Sequence, residues 1–229
     1  MKIGINQPYF LPYIGYYQLM KSVDTFVFYD DVSYIKQGWI NRNRILLDGH
    51  DYLFTIILNG VNQNKKINAI EIGNNRMKLL MTFKHAYRKA PFFKEVEPLL
   101  HSIFEAEQSN LSQYIVDANL FITSYLGIDT KILISSEIDK NNELKKQDKI
   151  FEICNKLGAT TYINAEGGKE LYSKADFEKA GIELYFIEPQ LIEYKQFNNN
   201  FIPSLSIIDV MMFNSIDVIQ AMLNNFKLL

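Results

Sequence analysis

The opening of the chain permits few folds. Ile3, Gly4 and Ile5 read as a short apolar strand that breaks at Asn6-Gln7-Pro8 into a loop carrying Tyr9, Phe10 and Pro12. Each proline fixes φ and removes a backbone donor, so that loop is stiff and cannot prolong the strand. A short helix opens at Tyr13-Ile14-Gly15-Tyr16, and a second strand runs from Thr25 to Tyr29 before stopping at Asp30-Asp31. The last third returns to the same alternation. Strands are expected at Lys131 to Ser135, Thr161 to Asn164 and Glu183 to Ile187, with helices around Ile150 to Leu157 and Ser173 to Ala180 between them. Strands separated by helices pair in parallel, so the expected fold class is α/β, a mainly parallel, Rossmann-like or nucleotidyltransferase-like sheet.

The middle is different. Tyr52 to Leu58 reads as a strand ending at an Asn59-Gly60 turn, with Lys66 to Ile72 as its hairpin partner. From residue 76 to 126 the apolar period becomes helical: Met77, Leu80 and Phe83 stripe one helix, which Pro91 interrupts. Leu111, Ile115, Ala118 and Ile122 stripe another, beginning near Asn110 with Gln113 placed for a capping box. Ser206 and Asp209 have the spacing of a capping start for a terminal helix, and capping alone accounts for them. Residues 1–229 form a single domain, with a core from about 1–35 and 128–229 and a β-hairpin and helical insertion over about 38–126.

Composition bounds the function classes. Of 229 residues, 48% are apolar, enough for a substantial core, and a net charge of −2 offers no field to attract sequence-specific nucleic acid or an anionic membrane. The lone Cys154 excludes an intramolecular disulfide, and the three histidines lack metal-ligand spacing. No run approaches the ~20 apolar residues of a membrane span, and the N-terminus has no signal-peptide pattern, so a cytoplasmic protein is expected.

The polar residues around the strand ends are the candidate site. Gln7 offers a donor and an acceptor directly after the first strand. Tyr13, Gly15 and Tyr16 open a helix whose N-terminus favours an anion. Their position resembles the His/Thr-x-Gly-His motif of adenylate-forming nucleotidyltransferases, with tyrosine in place of both histidines. Asp30 and Asp31 are candidate catalytic acids, although neighbours on a strand point to opposite faces. Trp39, Asn41, Arg42 and Arg44 join a stacking surface to planar donors for phosphate or carboxylate. His85 is a candidate base. Glu166 and Gly167, in a Glu-Gly-Gly-Lys loop, could meet phosphate through backbone N–H groups. Tyr194 and Gln196 belong to a late polar and aromatic cluster.

The runs Q-P-Y-F-L-P-Y-I-G-Y-Y-Q-L, D-x-F-V-x-Y-D-D-V-x-Y and G-W-I-N-R-N-R-I resemble the WbqC-like family, as do Y-I-N-A-E-G-G-K-E-L-Y and F-x-P-S-L-S-I-I-D-V near the end. The resemblance covers nearly the whole chain. Its motif positions fall on Gln7, Pro8, Tyr13, Gly15, Asp30, Asp31, Asn41, Arg42, His85, Gly167, Gln196, Ser206 and Asp209. Ile192 stands where a proline is expected before Tyr194, and Asn164-Ala165 where Ser-Gly is common. The resemblance implies bacterial O-antigen and surface-polysaccharide biosynthesis: a transferase that N-acylates or aminoacylates a nucleotide-linked amino sugar, using an activated acyl donor. The alternatives are an adenylate-forming nucleotidyltransferase or ligase, and a non-catalytic binding module of the same pathway.

Overall fold

The computed structural model describes residues 1–61, 64–190, 192–198 and 200–229. Strand β1 (Lys2–Asn6) is followed by helix α1 (Ile14–Lys21) and β2 (Thr25–Phe28). The insertion contributes β3 (Arg42–Leu47), β4 (His50–Thr55), β5 (Leu58–Asn59), β6 (Glu71–Ile72), α2 (Arg76–Tyr87), α3 (Phe93–Phe104) and α4 (Leu111–Leu126). The chain then runs through β7 (Lys131–Ile134), α5 (Lys146–Leu157), β8 (Thr161–Ala165), α6 (Lys174–Lys179), β9 (Glu183–Pro189), α7 (Ile207–Phe213), α8 (Ile216–Leu223) and β10 (Phe226–Leu228).

Six strands form one sheet in the order β10-β9-β8-β1-β2-β7, parallel except for β10, which runs antiparallel to β9. The chain winds outward from β1 through β2 to β7, then returns across β1 to lay down β8 and β9 on the other side. This reversal places a topological switch point between β1 and β8, where open α/β sheets hold their ligands beyond the carboxyl ends of the strands.

Side chains alternate across the sheet with the period of two that strands impose. Ile3, Ile5, Val27, Tyr162, Leu184 and Phe186 pack with Ile150, Ile153 and Cys154 of α5 and Phe177 of α6. Phe26, Phe28, Ile163 and Ile187 face the opposite layer, built from α1, the insertion, α7 and α8. The insertion therefore shares one continuous hydrophobic core with the sheet. Cys154 is fully buried on the α5 face of the sheet, and burial pushes its thiol up to about 12, which keeps it an unreactive thiol.

Two expectations for the middle of the chain are corrected. The partner of the Tyr52 strand is β3, upstream of it, paired Arg42 to Thr55 through Leu47 to His50. The turn between them is Asp48-Gly49, both left-handed (φ 50° and 81°), the two-residue geometry that matches strand twist. His50 thus begins a strand. Lys66 to Ile72 forms a 3₁₀ turn and only the two-residue β6, paired with β5. Asn110 does cap α4, accepting from the Gln113 backbone N–H at 3.1 Å. The Gln113 side chain turns instead to Asp117 at 2.7 Å, leaving the box half made.

The two acids after β2 tie the sheet together. Asp30 accepts from the backbone N–H and hydroxyl of Ser136 at 2.9 and 2.7 Å. Asp31 accepts from Ser135 Oγ and from Lys149 Nζ, each at 2.7 Å, with Lys140 Nζ at 3.1 Å. Burial alone would raise the Asp31 carboxyl, but these donors outweigh it and hold the group below the ordinary carboxylate value. Lys149→Met should destabilise the fold by about 3 kcal/mol, the low end for breaking a buried pair because Lys140 stays. The contribution of Asp31 is complete above the unfolded carboxylate value, about pH 4, and declines as pH falls below it. The stability gap between wild type and Asp31→Asn, measured by urea unfolding, should therefore narrow between pH 7 and pH 3.

Candidate functional site

The loop between β1 and α1 is held from four directions. Phe10 N–H donates to Ile40 O at 2.9 Å, and Tyr9 O accepts from Asn119 Nδ2 at 3.0 Å. Leu11 O accepts from Asn43 Nδ2 at 2.9 Å and Ser206 Oγ at 2.8 Å, while Pro12 O accepts from Ile207 N–H at 2.8 Å. These bonds hold Leu11 at φ 47°, a left-handed conformation that a branched side chain resists. Ser204, across the loop, is also left-handed at φ 57°. Strain of this kind persists only where the surroundings over-determine it.

The pinned loop and β3 enclose a hollow of about 280 Å³ lined by Tyr9, Pro12, Tyr13, Trp39, Asn43, Arg44 and Ser204. Three aromatic rings wall it. Arg44 binds Asp51 through Nη1 at 3.0 Å, while its Nε is buried with no partner among the described residues. The Tyr13 phenol is raised by burial and then by the nearby Glu166 carboxylate, so it remains protonated. Glu166 follows β8 directly and pairs with Lys169 at 2.9 Å. Tyr13, Trp39 and Arg44 thus share one hollow, Glu166 lies outside its lining but acts electrostatically on Tyr13, and Gln7 directly follows β1.

Other marked residues are built into the framework. Tyr16 is buried and donates its phenol to Gln7 O at 2.7 Å. Gly15 is required by the Tyr13 ring: a Cβ there would lie 2.4 Å from it. That ring covers the helix backbone at Gly15. Asn41 bridges Tyr34 and Ile56 O, at 2.8 and 2.7 Å. Arg42 holds the preceding turn through the carbonyls of Gly38 and Gln37 and sits over the Trp39 ring at 5.7 Å. None of Gln7, Asp30 and Arg42 lines the Trp39 hollow. His85 is exposed and lines a separate depression with Asp48, Arg88 and Phe197, so it meets neither Asp30, Asp31 nor the Trp39 hollow. Among the described residues no group of three or more His, Cys, Asp or Glu is arranged to hold a metal ion.

The late polar and aromatic cluster holds a buried network centred on Asp209, a residue that sequence spacing put down to capping alone. Asp209, fully buried, accepts from Tyr87, Tyr194 and Gln196, each at 2.7 Å. Burial raises its carboxyl and the three donors only partly offset this. Ser206 does cap α7, accepting from Ile208 N–H at 3.3 Å, but Asp209 turns inward instead of completing a capping box. Gln18 was missed too, although a glutamine between Tyr17 and Leu19 in a short helix whose one charged residue is Lys21 is a usable signal.

An open, doubly wound α/β protein with an aromatic hollow at its switch-point edge is the class that fold and site define. The model of the WbqC-like protein family matches residues 7–221, and the chain belongs to that family. It is similar to the uncharacterized protein Rv1507c of Mycobacterium tuberculosis, 29% identical over 218 residues that cover 92% of each chain. No solved structure matches the chain. Among the described residues no helix is long and apolar enough to cross a membrane.

The Glu-Gly-Gly loop yields a direct test. A Cβ at Gly168 would lie 2.3 Å from Asn164 Nδ2, whose side chain is fixed by Ala165 N–H, whereas Gly167 faces open space. Gly168→Ala should cost at least about 1 kcal/mol by overpacking, seen as a lowered Tm. Gly167→Ala should stay within about 0.5 kcal/mol of wild type.

Proposed function

We propose that this protein is a transferase of bacterial surface-polysaccharide biosynthesis that binds a nucleotide-linked amino sugar and adds an acyl or aminoacyl group to its amine. The observation that carries this is the Trp39 hollow. The rings of Tyr9, Tyr13 and Trp39 suit the C–H face of a pyranose, and a planar guanidinium with an unpartnered Nε suits a phosphate or carboxylate oxygen. The family's implied pathway supplies the sugar class.

In the transfer, the neutral amine nitrogen attacks the carbonyl carbon of the activated donor. The C–N bond forms, the bond to the donor's leaving group breaks, and the amine proton passes to a base. Glu166 is assigned that role because it follows β8 at the switch point and acts electrostatically on Tyr13. Asp30 and Asp31 have their oxygens engaged in the framework, and His85 lies in another depression.

Purified protein incubated with a nucleotide-linked amino sugar and a panel of activated acyl donors should give a product heavier by one acyl group, read by mass spectrometry. Trp39→Ala and Arg44→Met should each raise KM about tenfold, as expected for a lost contact of ~1.4 kcal/mol. Glu166→Gln should lower kcat about a hundredfold at nearly constant KM, and His85→Ala should leave both unchanged. Absence of product with every donor, or loss of activity in His85→Ala, overturns the assignment.

A further inference from the structure

Behind Tyr13 lies a second cavity, of about 250 Å³, between the start of α1, the end of β9 and the helices α7 and α8. Tyr13 and Ser204 line both this cavity and the Trp39 hollow, so the two are neighbouring compartments. Ile14, Leu205, Val210 and Met222 make most of its wall apolar. Gln18 also lines it, at 1% exposure. Its amide orientation is set by two carbonyls: Nε2 donates to Met222 O at 2.8 Å and Asn225 O at 3.1 Å. An oxygen turned toward those carbonyls would be repelled.

Oε1 of Gln18 is then a buried acceptor with no partner among the described residues. Buried polar atoms are almost always paired, so an orphan in the wall of a cavity marks a place for a donor. On the same wall the protonated Tyr13 phenol is a donor. An acceptor and a donor carried by two residues that line one mainly apolar space complement a secondary amide, whose N–H and C=O are one of each. A dry cavity of about 150 Å³ already accepts benzene, so this one has room for a longer aliphatic or aryl body.

We propose that this cavity binds a short, mainly apolar acyl amide, with its N–H donated to Gln18 Oε1 and its acyl chain among Ile14, Leu205, Val210 and Met222. The site stands on its own geometry. Only the occupant's role, as the acyl portion of the donor, rests on the transferase reading.

The test uses the full chain and two probes of equal shape, N-methylhexanamide and methyl hexanoate, which lacks the N–H. By calorimetry the amide should bind wild type about fivefold more tightly, the effect of one net hydrogen bond. Gln18→Met should abolish that preference. Should that variant fail to fold, Ile192→Trp, at the half-buried margin of the cavity, should block both probes. Equal binding of amide and ester to wild type, no binding of either, or unchanged binding to Ile192→Trp overturns the proposal. Amide binding by a protein that transfers no acyl group overturns the transferase reading alone. Acyl transfer by a protein that does not distinguish the probes overturns this inference alone.

Discussion

Two donors converge on the carbonyl of Leu11, and the edge of the molecule is organised around that atom. Asn43 reaches it from β3 and Ser206 from the start of α7, segments 32 and 195 residues away in the chain. Without both bonds a leucine at φ 47° would relax toward the extended region. Relaxation would release Pro12 from Ile207, and with it the entry to α1 and the placement of Tyr13. The hollow that faces Trp39 and Arg44 and the cavity that faces Gln18 both use Tyr13 as a wall. One pinned carbonyl therefore sets the partition between two compartments.

The buried carboxylates divide along the same physical line. Asp31 sits among two lysines and a serine, in surroundings that favour its charge, and it fastens β2 to the segment after β7. Asp209 sits among neutral donors, two phenols and an amide, where burial works against its charge. Leaving donors such as these unpaired in a core costs on the order of 1–3 kcal/mol each, which is reason enough for such residues to be specific in type. Framework bonds thus engage Asp30, Asp31, Tyr16 and Asp209, while Arg44, paired with Asp51, keeps an Nε with no partner among the described residues.

The parallel sheet was legible because its strands are short apolar runs with helical periods between them, and both signals are local. The hairpin in the middle was not placed correctly, because two weak alternating runs flank Tyr52 and the choice between them lay in the Asp48-Gly49 turn, whose left-handed pair selects the upstream partner. Strand β10 went unseen: three residues carry no usable period, and Phe226–Leu228 becomes a strand only because the edge of β9 is free to receive it. Of the residues marked by type, Tyr13, Trp39 and Arg44 line one hollow, while Glu166 lies outside its lining. His85, a candidate base by residue type, lies on an exposed helical stripe with Met77 and Met81 and lines a depression apart from the Trp39 hollow.

From the amino-acid order alone came the α/β class and the family resemblance, since strand period, proline placement and motif spacing are properties of neighbours along the chain. Tertiary structure decided which polar groups serve the framework and which face open space. That distinction depends on partners such as Ser136, Lys149, Tyr87 and Ser206, each more than 100 residues from the group it satisfies. A hydrogen bond between distant segments leaves no periodic trace in sequence; its energy exists only once the chain has closed around it.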